Sequence, residues 1–377
     1  MRQEEINILS VPYSAKKGAD GRFYSSIGAD VPSAAKLASE ILGDLDSTSF
    51  GISWWRSLRT HERILISDYS YQCATGIETN LAEAKLHYFE WLDARDKDNR
   101  RIADVISRDA TGQLHRKMPR SQSALDDLPA RLEDVHICGF FRAIGSSLDC
   151  LGAMMISVLG LPAALRRADI GKAEKALSSI RNLDTANSRL QADFRTFYEE
   201  VRSASGVEDW LEWANQYRNM FVHRGRRIKH GEIIPQDVLL LDAKGQVIPR
   251  ATSASYLAKF PDRSEIEALI KSKDIVLRED ADVTLKGIFK SCRELEENVC
   301  ERLLVIWEER RNNPTLIEQP AAQWDANIRV CNFNGYAPDS PPLNADLAII
   351  NPVLGRRMLS ASVDDAHRNL WDNSQWI

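Results

Sequence analysis

The sequence predicts a mainly α-helical protein carrying one small β-hairpin. Two observations support this. Apolar residues recur at three- and four-residue spacing over most of the chain, and the period shortens to that of strands only around residues 226–250. The chain of 377 residues is 44% hydrophobic and 27% charged, which is ordinary for a globular protein and excludes a disordered or fibrous class. No internal repeat or low-complexity tract interrupts it.

Residues 1 to about 30 mix Gly, Ser and Asp with two short apolar runs, Ile6 to Val11 and Phe23 to Ile27, which are either small strands or an arm. A helix is expected from Pro32-Ser33, with Ser33 as cap and Ala34, Leu37, Ala38, Ile41, Leu42 and Leu45 on one face. Trp54 and Trp55 lead into a helical region, and from Ile77 the positions Leu81, Ala84, Tyr88, Trp91, Leu92, Ile102, Val105 and Ile106 keep a rough helical period, with the run Asp93 to Arg101 in its middle reading as a solvated turn of charge. Residues 110–129, with Gly112, Pro119 and Pro129, break the period and mark a candidate boundary.

A central helix is expected from about Ala130 to Leu159, apolar on more than one face and ended by Gly160 and Pro162. Shorter helices follow around Lys172 to Leu183 and from Leu190 to Val201, the latter stopped by Ser205-Gly206. After the hairpin, Ser264 and Glu267 are spaced as a capping box for residues 262–271, and a last long helix covers about Asp280 to Arg311. The expected organisation is therefore an N-terminal extension over 1–129, a helical bundle over 130–311, and an irregular tail over 312–377 whose Trp324, Trp371 and Trp376 favour docking.

A net charge of -5 argues against a general nucleic-acid coat protein but leaves room for a local basic patch. Six cysteines without a C-x-x-C pair, behind an N-terminus lacking an apolar signal core, read as reduced thiols in a cytoplasmic protein. The longest uncharged run, Cys150 to Leu165, is too short for a span and contains Pro162, so no membrane partner is expected. No phosphate-binding glycine loop or metal-ligand spacing occurs, and His136, Cys138 and Cys150 read as satisfied by their neighbours, so no cofactor or metal is expected.

The densest stretch is Trp210 to His230. Trp210, Trp213, Ala214, Tyr217, Met220 and Phe221 form an apolar helix face, opposite a polar stripe of Glu212, Asn215, Asn219 and His223. Asn219 and His223 are one turn apart, but Arg218, five residues before His223, lies about 140° away from it around an ideal helix. Either the long Arg stem reaches around the last turn, or a twofold dimer sets two such motifs face to face. A His moving protons and an Arg stabilising a phosphorane, with Asn orienting either, suit metal-free phosphodiester cleavage. Arg224, Arg226, Arg227, Lys229 and His230 add phosphate attraction, and RNA brings its own 2'-hydroxyl nucleophile. Asp149, in an apolar helix, is either a buried acid that orients Arg218 or an acid at the bundle rim.

The motif Arg218-Asn219-x-x-x-His223 resembles that of the HEPN superfamily, an Arg commonly followed by a polar residue with a His four to six residues after the Arg. The resemblance covers roughly residues 130–311. It implies a HEPN-like four- or five-helix bundle and a homodimeric, metal-independent endoribonuclease of toxin or anti-phage defence systems, with RNA as substrate and an antitoxin or sensor as partner. The competing expectation is a non-catalytic helical module that binds a partner protein or nucleic acid.

Overall fold

In a computed structural model the chain is mainly helical. The structure describes residues 14–17, 23–26, 30–44, 60–108, 114–116, 128–163, 165, 168–219, 221, 229–241, 247–257, 279–313, 316 and 336. The described helices are α1 (Pro32–Asp44), α2 (Thr60–Val105), α3 (Leu128–Leu159), α4 (Ile170–Ser178), α5 (Ala186–Ala204), α6 (Trp210–Asn219) and α7 (Ala281–Asn312). Short antiparallel backbone ladders join β1 (Ser14–Lys17) to β2 (Phe23–Ser26), β3 (Ile106–Arg108) to β4 (Leu114–Arg116), and β5 (Lys229–Leu241) to β6 (Val247–Leu257). The expected helix over 262–271 and the three tail tryptophans lie outside the described residues.

The chain forms two compact units, each assembled from three sequence segments: residues 1–30, 78–147 and 201–295 in the first, and 31–77, 148–200 and 296–377 in the second. Helices α2, α3, α5 and α7 contribute to both.

In the first unit, α2 touches α3 and α7. Tyr88 donates a hydrogen bond to Asp282 at 2.5 Å, Arg95 pairs with Asp280 at 2.6 Å while lying over the Trp91 ring, and the Lys85 ammonium sits over Phe289. Burial and the Asp282 hydrogen bond push the Tyr88 phenol well above its ordinary range. α2 also corrects a sequence reading, because Asp93 to Arg101 continues the helix. The charges there sit at three- and four-residue spacing and pair along the helix, Asp93 with Lys97, Asp96 with Arg100 and Asp98 with Arg101, so a polar run is no break.

In the second unit, Pro32 occupies the first turn of α1, where its missing N–H costs nothing. Ser33 does not cap the helix. Its amide and hydroxyl instead donate to Glu297 of α7 at 3.1 and 2.7 Å, so a distant carboxylate satisfies the helix start. α3 ends as expected at Gly160, whose positive φ of 64° lets Leu161 N–H reach back to Ile156 C=O at 3.0 Å. Gly152 marks a close approach, since a Cβ there would lie 2.6 Å from the Asp169–Ile170 backbone at the start of α4. Asp169 caps α4 by accepting from Lys172 N–H at 2.7 Å.

Among the described helices, α3 is long and apolar enough to cross a membrane, and 78% of its most apolar window is buried inside the protein. Its carbonyl at Leu159 accepts from Gln191 at 2.8 Å and from the buried Arg310 guanidinium at 2.9 Å, and Arg310 also donates to Asn187. Arg310→Ala removes the guanidinium donor from Asn187, leaves the Leu159 carbonyl only its bond from Gln191 and opens a cavity, so it is expected to cost about 3 kcal/mol or more in urea unfolding. Arg311→Ala, which removes a more exposed pair with Glu40, is expected to cost under about 1 kcal/mol.

Candidate functional site

The first unit positions α6. Its residues Trp210, Leu211, Ala214 and Tyr217 are buried, while Glu212, Gln216 and Asn219 are exposed, so the amphipathic reading of this stretch holds over the described part. The chain enters α6 through Gly206, packed so closely on α7 that a Cβ would stand 2.4 Å from Ser291 Oγ, and through Asp209, a non-glycine residue at φ 59°. Asp tolerates this left-handed conformation better than most residues do.

Against α3, Phe141 is the anchor. Its ring centroid lies 5.7 Å from Trp213, 4.7 Å from Tyr217 and 6.0 Å from Phe221, and Tyr217 lies 4.9 Å from both of the others. Aromatic pairs of this kind contribute about 0.5–1.5 kcal/mol each beyond the area they bury. Burial, with a smaller contribution from the Asp134 charge, pushes the Tyr217 phenol well above its ordinary range, so it stays neutral and cannot act as a base near neutral pH.

Arg218 lies on the α3 side of α6. Gly145, one turn past Phe141, gives it room: a Cβ at Gly145 would sit 2.6 Å from Arg218 Cδ and Nε and 2.8 Å from Cγ. The guanidinium stem is therefore laid across a glycine notch and is half-buried, while Asn219, the next residue, faces solvent. His223, Arg224, Arg226 and Arg227 lie outside the described residues, and Lys229 and His230 are described only as the backbone start of β5. Asp149 belongs to the second unit. There it is half-buried near Tyr69, Cys73 and Cys150, and burial and these neighbours together push the Tyr69 phenol up to about 12. Nothing in the residue order signals the Gly145 notch, because a glycine within a helix reads only as a weak helix former.

A groove of about 900 Å³ runs between the α5–α6 connection, α6 and the first turns of α7. Glu208, Asp209, Glu212, Glu279 and Glu294 line it with Lys290 as the one base among its lining residues, and Lys290 reaches Glu294 at 3.9 Å. Its carboxylates repel phosphate, so this groove is not where a polyanion would sit. Elsewhere in the unit, His87 of α2 meets His136 of α3, Nδ1 to Nδ1 at 3.1 Å. Burial, and then the charge of His87, lowers the proton affinity of His136. Searches of protein-family models, curated proteins and solved structures return no match to this chain.

The His136 shift carries a sign for stability. A histidine whose folded pKa lies below its unfolded value binds fewer protons when folded, so its contribution is intact above the unfolded value of about 6.5 and is lost as pH falls below it. Urea midpoints are expected to fall between pH 7 and pH 5 in the wild type. The fall should be smaller in His136→Gln, measured by the difference between the two pH profiles.

Proposed function

We propose that this chain is a metal-independent endoribonuclease of the HEPN type, a HEPN-like helical bundle with a β-hairpin insertion and extensions at both ends. The observation that carries the reading is the Arg218-Asn219-x-x-x-His223 motif at the end of an amphipathic helix, with Arg218 seated against Gly145 and Asn219 exposed beside it. In this reading the RNA 2'-hydroxyl attacks the adjacent phosphorus, and the bond to the 5'-oxygen breaks to leave a cyclic phosphate. His223 transfers the proton, and Arg218 stabilises the charge on the phosphorane oxygens. A histidine near a helix C-terminus is favoured in its protonated form, which suits a general acid.

The offset of Arg218 from His223 is best met by a homodimer in which the two motifs share one cleft. Arg224, Arg226, Arg227, Lys229 and His230 supply the phosphate attraction in the same scheme. A cytoplasmic toxin or anti-phage role, restrained by an antitoxin or triggered by a sensor, follows from the class. A second reading, a non-catalytic interaction module, is favoured by the carboxylate-lined groove on α6, which offers a surface to a cationic partner.

Purified protein is expected to cut RNA in EDTA and to leave a 2',3'-cyclic phosphate end. His223→Ala is expected to lose cutting while remaining folded, and undiminished cleavage by that variant would sink the reading. Gly145→Ala, which must push Arg218 from its notch, is expected to lower the cleavage rate on the order of 10²-fold with secondary structure retained by circular dichroism. An interaction module would show no cleavage in any of these proteins.

A further inference from the structure

Helices α2 and α3 bring together two histidines that stand 49 residues apart in sequence. The Nδ1 atoms of His87 and His136 are 3.1 Å apart, with ring centroids at 5.4 Å and planes inclined by 49°. Gly139 makes this approach possible, since a Cβ there would stand 2.3 Å from Cε1 and Nε2 of the His87 ring. On its other edge, His87 Nε2 faces the Glu83 carboxylate at 3.7 Å, and the charge of Glu90 acts on His136. The two Nδ1 atoms share a hydrogen bond, and a carboxylate on the Nε2 side of His87 favours the tautomer that keeps its proton there, so His87 Nδ1 is the acceptor and a metal ion would take the place of the proton between the rings.

The geometry points to a two-histidine site for a divalent transition-metal ion, held by Nδ1 of His87 and Nδ1 of His136 with water completing the shell. Metal–nitrogen bonds of about 2.0–2.1 Å place two ligand nitrogens about 2.9 Å apart at a right angle and about 3.4 Å apart at the tetrahedral angle. The observed 3.1 Å falls between these. Imidazole nitrogen selects zinc, cobalt, nickel or copper over magnesium or calcium. The His87 side chain is 22% exposed, which admits the waters.

Among the described residues no group of three or more His, Cys, Asp and Glu side chains converges, so the protein contributes two ligands and holds the ion less tightly than a four-ligand zinc site does. The site is separate from the Arg218 notch: the nine-residue step along α3 from His136 to Gly145 spans about 13 Å along the helix axis. Its occupancy staples α2 to α3 within the first unit.

The test uses full-length, tag-free protein stripped with EDTA and dialysed. Titration with CoCl₂ is expected to show one ion bound per chain, and His87→Ala and His136→Ala are each expected to weaken binding by at least about tenfold. Glu83→Gln keeps the stoichiometry and weakens binding by a smaller factor. CuCl₂ bound to the wild-type protein is expected to give an electron paramagnetic resonance spectrum with coupling to two imidazole nitrogens, a readout that holds even if a variant fails to fold. Absence of binding at millimolar Co²⁺, undiminished binding in both histidine variants, or coupling to fewer than two nitrogens overturns the site. RNA cleavage enters none of these measurements, so the outcome is independent of the proposed ribonuclease.

Discussion

The contact between α3 and α6 is the constraint on which the candidate site depends. Phe141 is fully buried and touches Trp213, Tyr217 and Phe221, residues four apart on one face of the α6 stretch. That contact fixes the rotation of α6 about its own axis. Once it is fixed, Arg218 has one place to go, across α3 at the next turn, and a side chain at position 145 would block it. The position of Arg218 therefore follows from an aromatic cluster and a glycine, neither of which has a part in the proposed chemistry.

The same contact shows what a sequence can disclose. The apolar faces of α1, α5, α6 and α7 were legible because each helix buries one stripe and its period survives in the residue order, whereas α3, buried all round from Leu151 to Leu159, was legible from its apolar run. The length of α2 was not legible. A run such as Asp93 to Arg101 has no apolar stripe to follow, and what sustains the helix there is pairing between charges that also suit a solvated turn. Ser33 was misread for a related reason: Ser is a good cap locally, but Glu297, 264 residues away, presents a stronger acceptor.

The candidate site divides along the same line. Arg218, Asn219 and His223 could be singled out because their residue types and fixed spacing are read from the residue order alone. Gly145, Gly139 and the meeting of His87 with His136 could not, because each depends on which two helices touch and at what height. Position 145 is informative only after α6 is known to cross α3 there.

Arg218 also bears on whether one chain can hold a complete site. On an ideal helix its direction differs from that of His223 by about 140°. The Arg218 stem follows the face that carries Tyr217 and Phe221 toward α3, whereas Asn219 is exposed. Two adjacent members of the motif are therefore already separated, one laid on a neighbouring helix and the other open to solvent. On an ideal helix Asn219 and His223, four residues apart, would share one side, so in the proposed reading the proton-transferring residue belongs with the exposed Asn219 rather than with Arg218. A half-buried cation held by a notch can extend only its guanidinium beyond α3, so a complete site of the proposed kind needs a histidine brought to it, which is what the proposed twofold pairing supplies.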